Sequence, residues 1–597
     1  MQKLSPSQSQ LNNLIEYCKN GNNEEAEKLA LLIIDKFPNH QFSWKVLGAV
    51  YGQTDRMSKS LNANQKAVVL SPKDPEAHYN LGITLQSLGR LDDAEKSYLQ
   101  AISLKDNYSK AYFNIGILMQ NRESDLVKSY KEKNNIKRES KNEIIERYLP
   151  ADKYLEKALE SYTKAINSNP EYLEAYLNLG EVLQKLGKFK DSEVSYKRLI
   201  SLKPEYAEAH NNLGIALDKQ GLSKEAEKSY RQAIAIKYDL PQAHYNLGNL
   251  LQNLNINEKA ELSFREAIKL NPDYIDAYLN LGVVLEELDR PSEAIECFNR
   301  AKIIQPESID VTMNRWRLLF NQKEYEKALE ESDSCNTIIS KQNSLVTLYA
   351  LGRIEEIYKR IEEESKMNNE NLLTASFSSF LSRVEKRDTA NNFCNKPMNF
   401  LYHSNISSHL KNSKPFLKGI INELQEVEAV WEPYKKTTRK GFQTRDNLNL
   451  FSNSSVKIEK LKSIIFSEID LYYNKFKNES CSFIQKWPSK NNLFGWHVIL
   501  KNQGYQDFHI HPGGWLSGVI YLKVVPHLKK NEGAIEFSMN GVNYHDINAE
   551  NLIYQPKEGD IVLFPSSLHH KTIPFTTKTD RIIVSFDLMP EELNINL

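Results

Sequence analysis

Net charge is what this 597-residue chain most plainly lacks: 77 Lys and Arg balance 77 Asp and Glu. A balanced chain has no overall field to attract nucleic acid or an anionic membrane. No basic stripe long enough to act locally is found either, so a nucleic-acid partner is not expected. Cysteine is scarce, with Cys18, Cys297, Cys335, Cys394 and Cys481 scattered and never in a CxxC pair. An odd, dispersed set fits neither a disulfide framework nor a cysteine zinc site, which leaves reduced thiols. Long apolar runs are missing as well. The longest, "LALLII" at 29–34, is far short of the roughly 20 residues of a spanning helix. The opening MQKLSPSQSQLNNL lacks the basic-then-apolar layout of a signal peptide. These absences predict a soluble, cytoplasmic protein with no membrane association, and the length predicts two or three domains.

What is present first is a period. Gly48, Gly82 and Gly116 are spaced by 34, as are Gly180, Gly214, Gly248 and Gly282. A small residue follows each by twelve, among them Ser60, Ala94, Ser192, Ala226, Ala260 and Ala294, and prolines such as Pro72, Pro204 and Pro272 mark repeat ends. Each period reads as two amphipathic helices brought close by the small residues and stopped by proline. Neither helix pair can bury its apolar face alone, so neighbours must stack. From Gly116 to Gly180 the spacing is 64, because a doubly charged segment, 121–150, interrupts one unit. It reads as a solvated, partly helical excursion.

The pattern resembles the tetratricopeptide repeat family, nine units of which fit from about residue 7 to 340. Two residues before the glycines stands a ladder of amides: Asn80, Asn114, Asn178, Asn212, Asn246 and Asn280, with Asn314 in register. The resemblance implies that first helices line a concave wall, so these amides should face a groove that takes a protein or peptide. Amides suit that task because each offers both a donor and an acceptor. The ladder is similar to that of the O-GlcNAc transferase repeat region, although asparagine is also common here for structural reasons. The chain then divides into a solenoid at 1–340, a helical cap or linker at 341–394, and a different domain at 395–597. Within the last, 455–476 predicts a helix with Ile458, Leu461, Ile465, Tyr472 and Phe476 on one face.

From Phe494 onward strands dominate: "GWHVILKN", "SGVIYLKVV", "GAIEFSM", "GDIVLFP" and "RIIVSFDL", separated by glycine and proline turns. The pattern predicts an antiparallel sandwich or barrel. His509 and His511, at the head of the second run, would project from one strand face with Cα atoms about 6.5 Å apart, close enough to share a metal. A third ligand must come from elsewhere, and "LHH" supplies His569 and His570, of which one should point inward. On the last strand Arg581, Ser585 and Asp587 alternate with Ile582, Val584, Phe586 and Leu588. A polar face inside a small barrel is costly unless it lines a cavity.

HxH, SGVIYL, GAIEF, GDIVLFPSSLHH and RIIVSF, in that order, resemble the iron(II)/2-oxoglutarate oxygenase superfamily, nearest its prolyl-hydroxylase-like branch. The resemblance implies a double-stranded β-helix, jelly-roll or cupin-like, with flanking helices, and Fe(II) and 2-oxoglutarate as cofactor and cosubstrate. It implies His509, His511 and His570 as metal ligands, Arg581 as the clamp on the far carboxylate of 2-oxoglutarate, and Tyr521 as its support. It implies a dioxygenase or hydroxylase whose solenoid recruits a protein or peptide. One departure stands out: His511 occupies the position where most of the superfamily has a carboxylate. Glu536, in "GAIEF", is the nearest candidate for a compensating carboxylate. The departure leaves two further readings, a three-histidine dioxygenase without 2-oxoglutarate and an interaction scaffold with a non-catalytic β-domain. His497, His527 and His545 have no partner at ligand spacing and are expected to be surface or core residues.

Overall fold

The computed structural model describes residues 5–134, 141–367, 370–427, 429–432, 436–444, 448–452, 455–488, 491–526, 529–549 and 551–590. His527 and the middle of the inserted segment lie outside them. Helices pair from Gln8–Lys19 with Asn23–Lys36 through to Ile309–Asn321 with Tyr325–Asp333. The period has a steric origin. From Gly82 to Gly282 an aromatic ring of the second helix lies on the bare backbone of the first, with Asn64 in that place at Gly48, so that a Cβ at Gly82 would come within 2.5 Å of Tyr98, and one at Gly248 within 2.7 Å of Phe264. Both rings are completely buried, and any larger residue in place of the glycine would overpack the pair. The interrupted unit is built from helices Ser109–Asn134 and Lys141–Ser168, so the insertion lengthens both flanking helices.

The chain divides into two compact units: Met1–Glu132 with Leu149–Leu186 and Asp191–Pro204, and Lys133–Tyr148 with Gly187–Lys190 and Glu205–Leu597. The second unit holds the later repeats, a further helix pair (Ile338–Ala350 and Ile354–Met367), helix Leu372–Glu385 and the β-domain. The strands of that domain are β1 (Tyr402–Asn405), β2 (Ala429–Trp431), β3 (Thr438–Thr444), β4 (Asn491–Gln506), β5 (Leu516–Lys523), β6 (Ile535–Ser538), β7 (Leu552–Tyr554), β8 (Asp560–Pro565), β9 (His569–Thr572) and β10 (Arg581–Pro590). Seven form one sheet in the order β1-β8-β5-β10-β4-β3-β2 and three form another, β7-β6-β9. Every pairing is antiparallel. This is the arrangement of a double-stranded β-helix.

Alternation along β10 gives each face its role. Ile582, Val584, Phe586 and Leu588 join the core under helix Val456–Phe476, whose Ile458, Leu461, Ile465, Tyr472 and Phe476 are all buried. Ile583 faces the other way, into a second core with Val519, Tyr521, Phe537 and Phe564. The site residues on β5 and β10 share this inward face.

Within the second unit the β-domain is tied to helical elements at two places. The Trp431 N–H donates to Lys219 O (3.2 Å) at a repeat turn, and the Trp431 ring lies against Gly221, where φ is +76° and a Cβ would press on the ring at 3.1 Å. On helix Leu372–Glu385, Ser376 Oγ meets His569 Nδ1 at 3.0 Å and the Tyr544 hydroxyl at 3.3 Å, and Phe377 and Phe380 enclose the Tyr544 ring.

His497 is a core histidine, as expected: fully buried on β4, with Nδ1 2.7 Å from Thr444 Oγ1. Burial pushes its pKa down to about 4. The unfolded chain, with an ordinary histidine near 6.5, therefore binds the extra proton first as pH falls. The associated stability is complete above about pH 6.5 and is lost progressively toward pH 4; at pH 5 the loss is about 2 kcal/mol. Urea unfolding at pH 7 and pH 5 should show a loss in His497→Gln that is about 2 kcal/mol smaller than in the wild type, whose other buried histidines add to its total.

Candidate metal centre

The three imidazoles foreseen as ligands converge. The candidate ligand nitrogens of His509, His511 and His570 all lie within 4.8 Å of one another. His509 and His511 present their Nε2 atoms 3.2 Å apart, close enough for both to bind one ion at the usual metal–nitrogen distance of about 2.1 Å. The HxH pair does not sit in a ladder strand, as the sequence suggested, but in the connection between β4 and β5. A single bridge fixes it: His509 and His570 exchange both backbone hydrogen bonds at 3.0 Å, and the His511 N–H donates to Ser566 O at 3.0 Å. Alternation then sends His570 into the site and its neighbour His569 outward to Ser376.

Each Nδ1 meets an oxygen that can only accept. The partners are Asp507 O for His509 (2.6 Å), Leu568 O for His570 (3.1 Å) and Asp587 Oδ1 for His511 (2.6 Å). Nδ1 therefore carries the proton and Nε2 keeps its lone pair, the tautomer a metal requires. Burial first, and the neighbouring rings second, push His509 down to about 3 and His570 well below its ordinary value. Both are neutral and ready to donate.

Asp587 is the residue the sequence reading placed on the inward face without giving it a task. It is 1% exposed, sits directly across the ladder from Ser517, and accepts hydrogen bonds from Ser517 Oγ (2.7 Å) and His511 Nδ1 (2.6 Å). The HPGG turn is shaped around it, since a Cβ at Gly514 would come 2.9 Å from Asp587 Cγ. The negative charge missing at position 511 is thus supplied from behind the ring. Glu536 does not serve: it faces outward on β6, where it pairs with Lys571 (3.3 Å) and accepts from Asn551 (2.8 Å). The signal was available in the alternation of β10, but its meaning depended on a cross-strand register that the sequence does not carry.

A narrow cavity touches all three imidazoles, Tyr521, Ser585 and Arg581. Arg581 is 1% exposed with its guanidinium 5.0 Å from the centre of the Tyr521 ring. Its Nε and Nη1, and the Tyr521 hydroxyl, have no hydrogen-bond partner among the described residues. Burial lowers the Arg581 pKa and pushes Tyr521 up to about 12; the arginine still holds its charge, because a guanidinium does not deprotonate in a protein. A buried, unpaired cation is strongly unfavourable. The cavity is therefore built to receive an anion, and the forked donors match a carboxylate. The donor set fits the implied groups: imidazole is a ligand type suited to iron(II), and the arginine fork suits a small dicarboxylate.

The asparagine ladder is half-buried and partly engaged. Asn114 donates to the Tyr79 and Tyr98 hydroxyls (3.3 and 3.4 Å), Asn178 to Tyr162 (3.3 Å), and Asn280 to Tyr245 (3.3 Å) and Asn249 (2.6 Å). Asn246 donates to Asn211 (2.9 Å), Asn212 accepts from Asn211 (3.1 Å), and Asn314 donates to Asp310 O (2.8 Å). Part of the amide capacity thus ties helices together, while Asn80 makes no such side-chain bond with a described residue.

Comparison with known proteins finds likenesses in separate stretches of the chain. Residues 495–587 match the family described as "Putative 2OG-Fe(II) oxygenase". Tetratricopeptide repeat models match 75–108, 154–187, 185–221, 207–239, 241–274 and 263–296. Among curated proteins, mouse protein O-mannosyl-transferase TMTC1 is 32% identical over 100 residues, covering 16% of this chain and 11% of that protein. Human protein O-mannosyl-transferase TMTC3 is 25% identical over 164 residues, covering 25% and 15%. The matches thus span only a small part of either relative. Of solved structures, Pseudomonas aeruginosa pilF is 21% identical with a TM-score of 0.30, covering 34% of this chain and 96% of that one. MamA is 26% identical with a TM-score of 0.25, covering 26% and 90%. The chain joins tetratricopeptide repeats to a C-terminal domain matched by the model described as "Putative 2OG-Fe(II) oxygenase".

Proposed function

We propose that the protein is an iron(II)- and 2-oxoglutarate-dependent dioxygenase that hydroxylates a protein or peptide recruited by its repeats. The single observation that carries the reading is the buried guanidinium of Arg581, whose Nε and Nη1 have no partner among the described residues, in the same cavity as three inward-facing imidazoles. A dioxygenase that needed no cosubstrate would have no use for such a cation. His509, His511 and His570 would hold the metal, and Arg581 with Tyr521 would hold the distal carboxylate of 2-oxoglutarate. Iron(II) and 2-oxoglutarate, when bound, supply the activation of O₂ and the oxidising power. The chain's own residues do the remaining work. Asp587, Asp507 O and Leu568 O keep the three protons on Nδ1, and Val519, Ile535 and Ile583 wall the cavity with apolar surface that excludes water. Within each unit the ladder amides, Asn80, Asn114 and Asn178 in one and Asn212, Asn246, Asn280 and Asn314 in the other, offer to a bound backbone the capacity they do not spend on neighbouring side chains.

The test is direct. Full-length protein supplied with Fe(II) and ascorbate should convert 2-oxoglutarate to succinate, and His570→Ala should reduce the rate to background. Protein that binds one equivalent of iron yet consumes no 2-oxoglutarate, with or without peptides, overturns the reading.

A further inference from the structure

A second cavity, of about 370 Å³, adjoins the candidate metal centre and shares His509 with it. Its wall opposite His509 comes from helix Ile338–Ala350, through Gln342, Asn343 and Val346, and its sides from Ile510 and the exposed Val542. None of the residues lining it is Lys, Arg, Asp or Glu, so a charged group placed there would lose its hydration without finding a counter-ion.

Asn343 adds a specific feature. It is only 7% exposed, yet its amide N–H finds only the Met313 thioether at 3.2 Å, a weak acceptor. Its carbonyl oxygen takes no hydrogen bond from a described residue. The amide thus keeps donor and acceptor capacity at the cavity wall that a ligand can use. Met313 stands next to Asn314, the last rung of the ladder, and the Trp316 N–H of the same helix donates to Thr347 on Ile338–Ala350 (2.9 Å). Within the second unit the amide-bearing helices, those of Asn212, Asn246, Asn280 and Asn314, therefore run on, one against the next, into the wall of this cavity.

We propose that this cavity is the substrate subsite: it takes an uncharged side chain of an extended polypeptide segment, whose backbone amide pairs with Asn343, and delivers that side chain beside His509. The assignment rests on the oxygenase reading for its chemistry but not for its binding. The occupant is a polypeptide and not a small free metabolite because the buried amide offers one donor and one acceptor together, the pair a peptide group presents, and because the ladder leads to it.

The experiment is selection of a displayed random decapeptide library on immobilised full-length protein loaded with Co(II) and 2-oxoglutarate, followed by anisotropy measurements with the labelled consensus peptide. The expected result is a consensus with one fixed uncharged position, where Asp or Lys costs tenfold or more in affinity. Asn343→Asp, nearly isosteric, and Val346→Trp, which fills the cavity, should each weaken binding at least tenfold. Ile303→Asp, on an exposed face outside the cavity, should bind as the wild type does. No enrichment, a charged consensus position, or equal binding by Asn343→Asp and Val346→Trp overturns the proposal. Succinate formation by the wild type is measured separately. Peptide capture without turnover removes the oxygenase reading and keeps the subsite, whereas turnover without capture does the reverse.

Discussion

Arg581→Met is expected to make the ligand-free protein more stable while abolishing its affinity for 2-oxoglutarate. The two effects share one cause. In the ligand-free state the guanidinium is buried with Nε and Nη1 unpaired among the described residues, and replacing it by an apolar side chain of similar length removes a desolvation penalty on the order of several kcal/mol. For a domain of about 200 residues each kcal/mol raises the unfolding midpoint by about 2–4 °C, so a shift of several degrees should be visible in the thermal transition of the β-domain. The loss of affinity follows from the fork: two charge-assisted hydrogen bonds at about 1.5–3 kcal/mol each correspond to a hundredfold or more. Adding 2-oxoglutarate and metal should raise the wild-type midpoint and leave that of Arg581→Met unmoved. A variant that melts lower than the wild type without ligand would mean that the cation is already compensated in the protein.

Asp587→Asn should lower metal affinity about 10–100-fold, the usual effect of losing the carboxylate behind a metal-ligating histidine. An asparagine amide turned toward His511 Nδ1 can donate, which pushes the ring proton to Nε2 and blocks the lone pair. Its carbonyl, turned the other way, preserves the tautomer but not the charge. His511→Asp, which installs the carboxylate most of the superfamily uses, should do no better alone, because it places a second anion beside the buried Asp587. The double variant His511→Asp/Asp587→Asn should bind iron(II) more tightly than either single variant. Equilibrium dialysis of the four proteins gives the coupling directly. Additive losses would show that Asp587 acts only as a structural residue.

The repeats were legible because their determinant is local: a glycine and the ring sixteen residues later recur at a fixed spacing, and both lie in one helix pair. The imidazole triad was legible in part. The i, i+2 spacing brought His509 and His511 to one face even though they lie outside a ladder strand, and the inward choice of His570 over His569 follows from alternation. Strands β1, β2, β3, β7 and β9 left little trace. Segments such as YHSN and AVW are three or four residues long, and their pairing is set by neighbours remote in sequence. Asp587 and Asn343 share another reason for being missed. Each has meaning only against a partner brought by long-range packing, Asp587 against His511 and Asn343 against a cavity wall. Asn343 also falls off the ladder's register, since the position 34 residues after Asn314 is Leu348.

His569 and His570 are consecutive, and they belong to different worlds. One ring is held by Ser376 on the helix that follows the repeats, the other by the three-imidazole centre. One peptide bond thus separates a side chain anchored on that helix from a candidate metal ligand, the shortest covalent step between the helical scaffold and the chemistry. A displacement of helix Leu372–Glu385 against the sheet would reach the ligand by that step as well as through the packing around it.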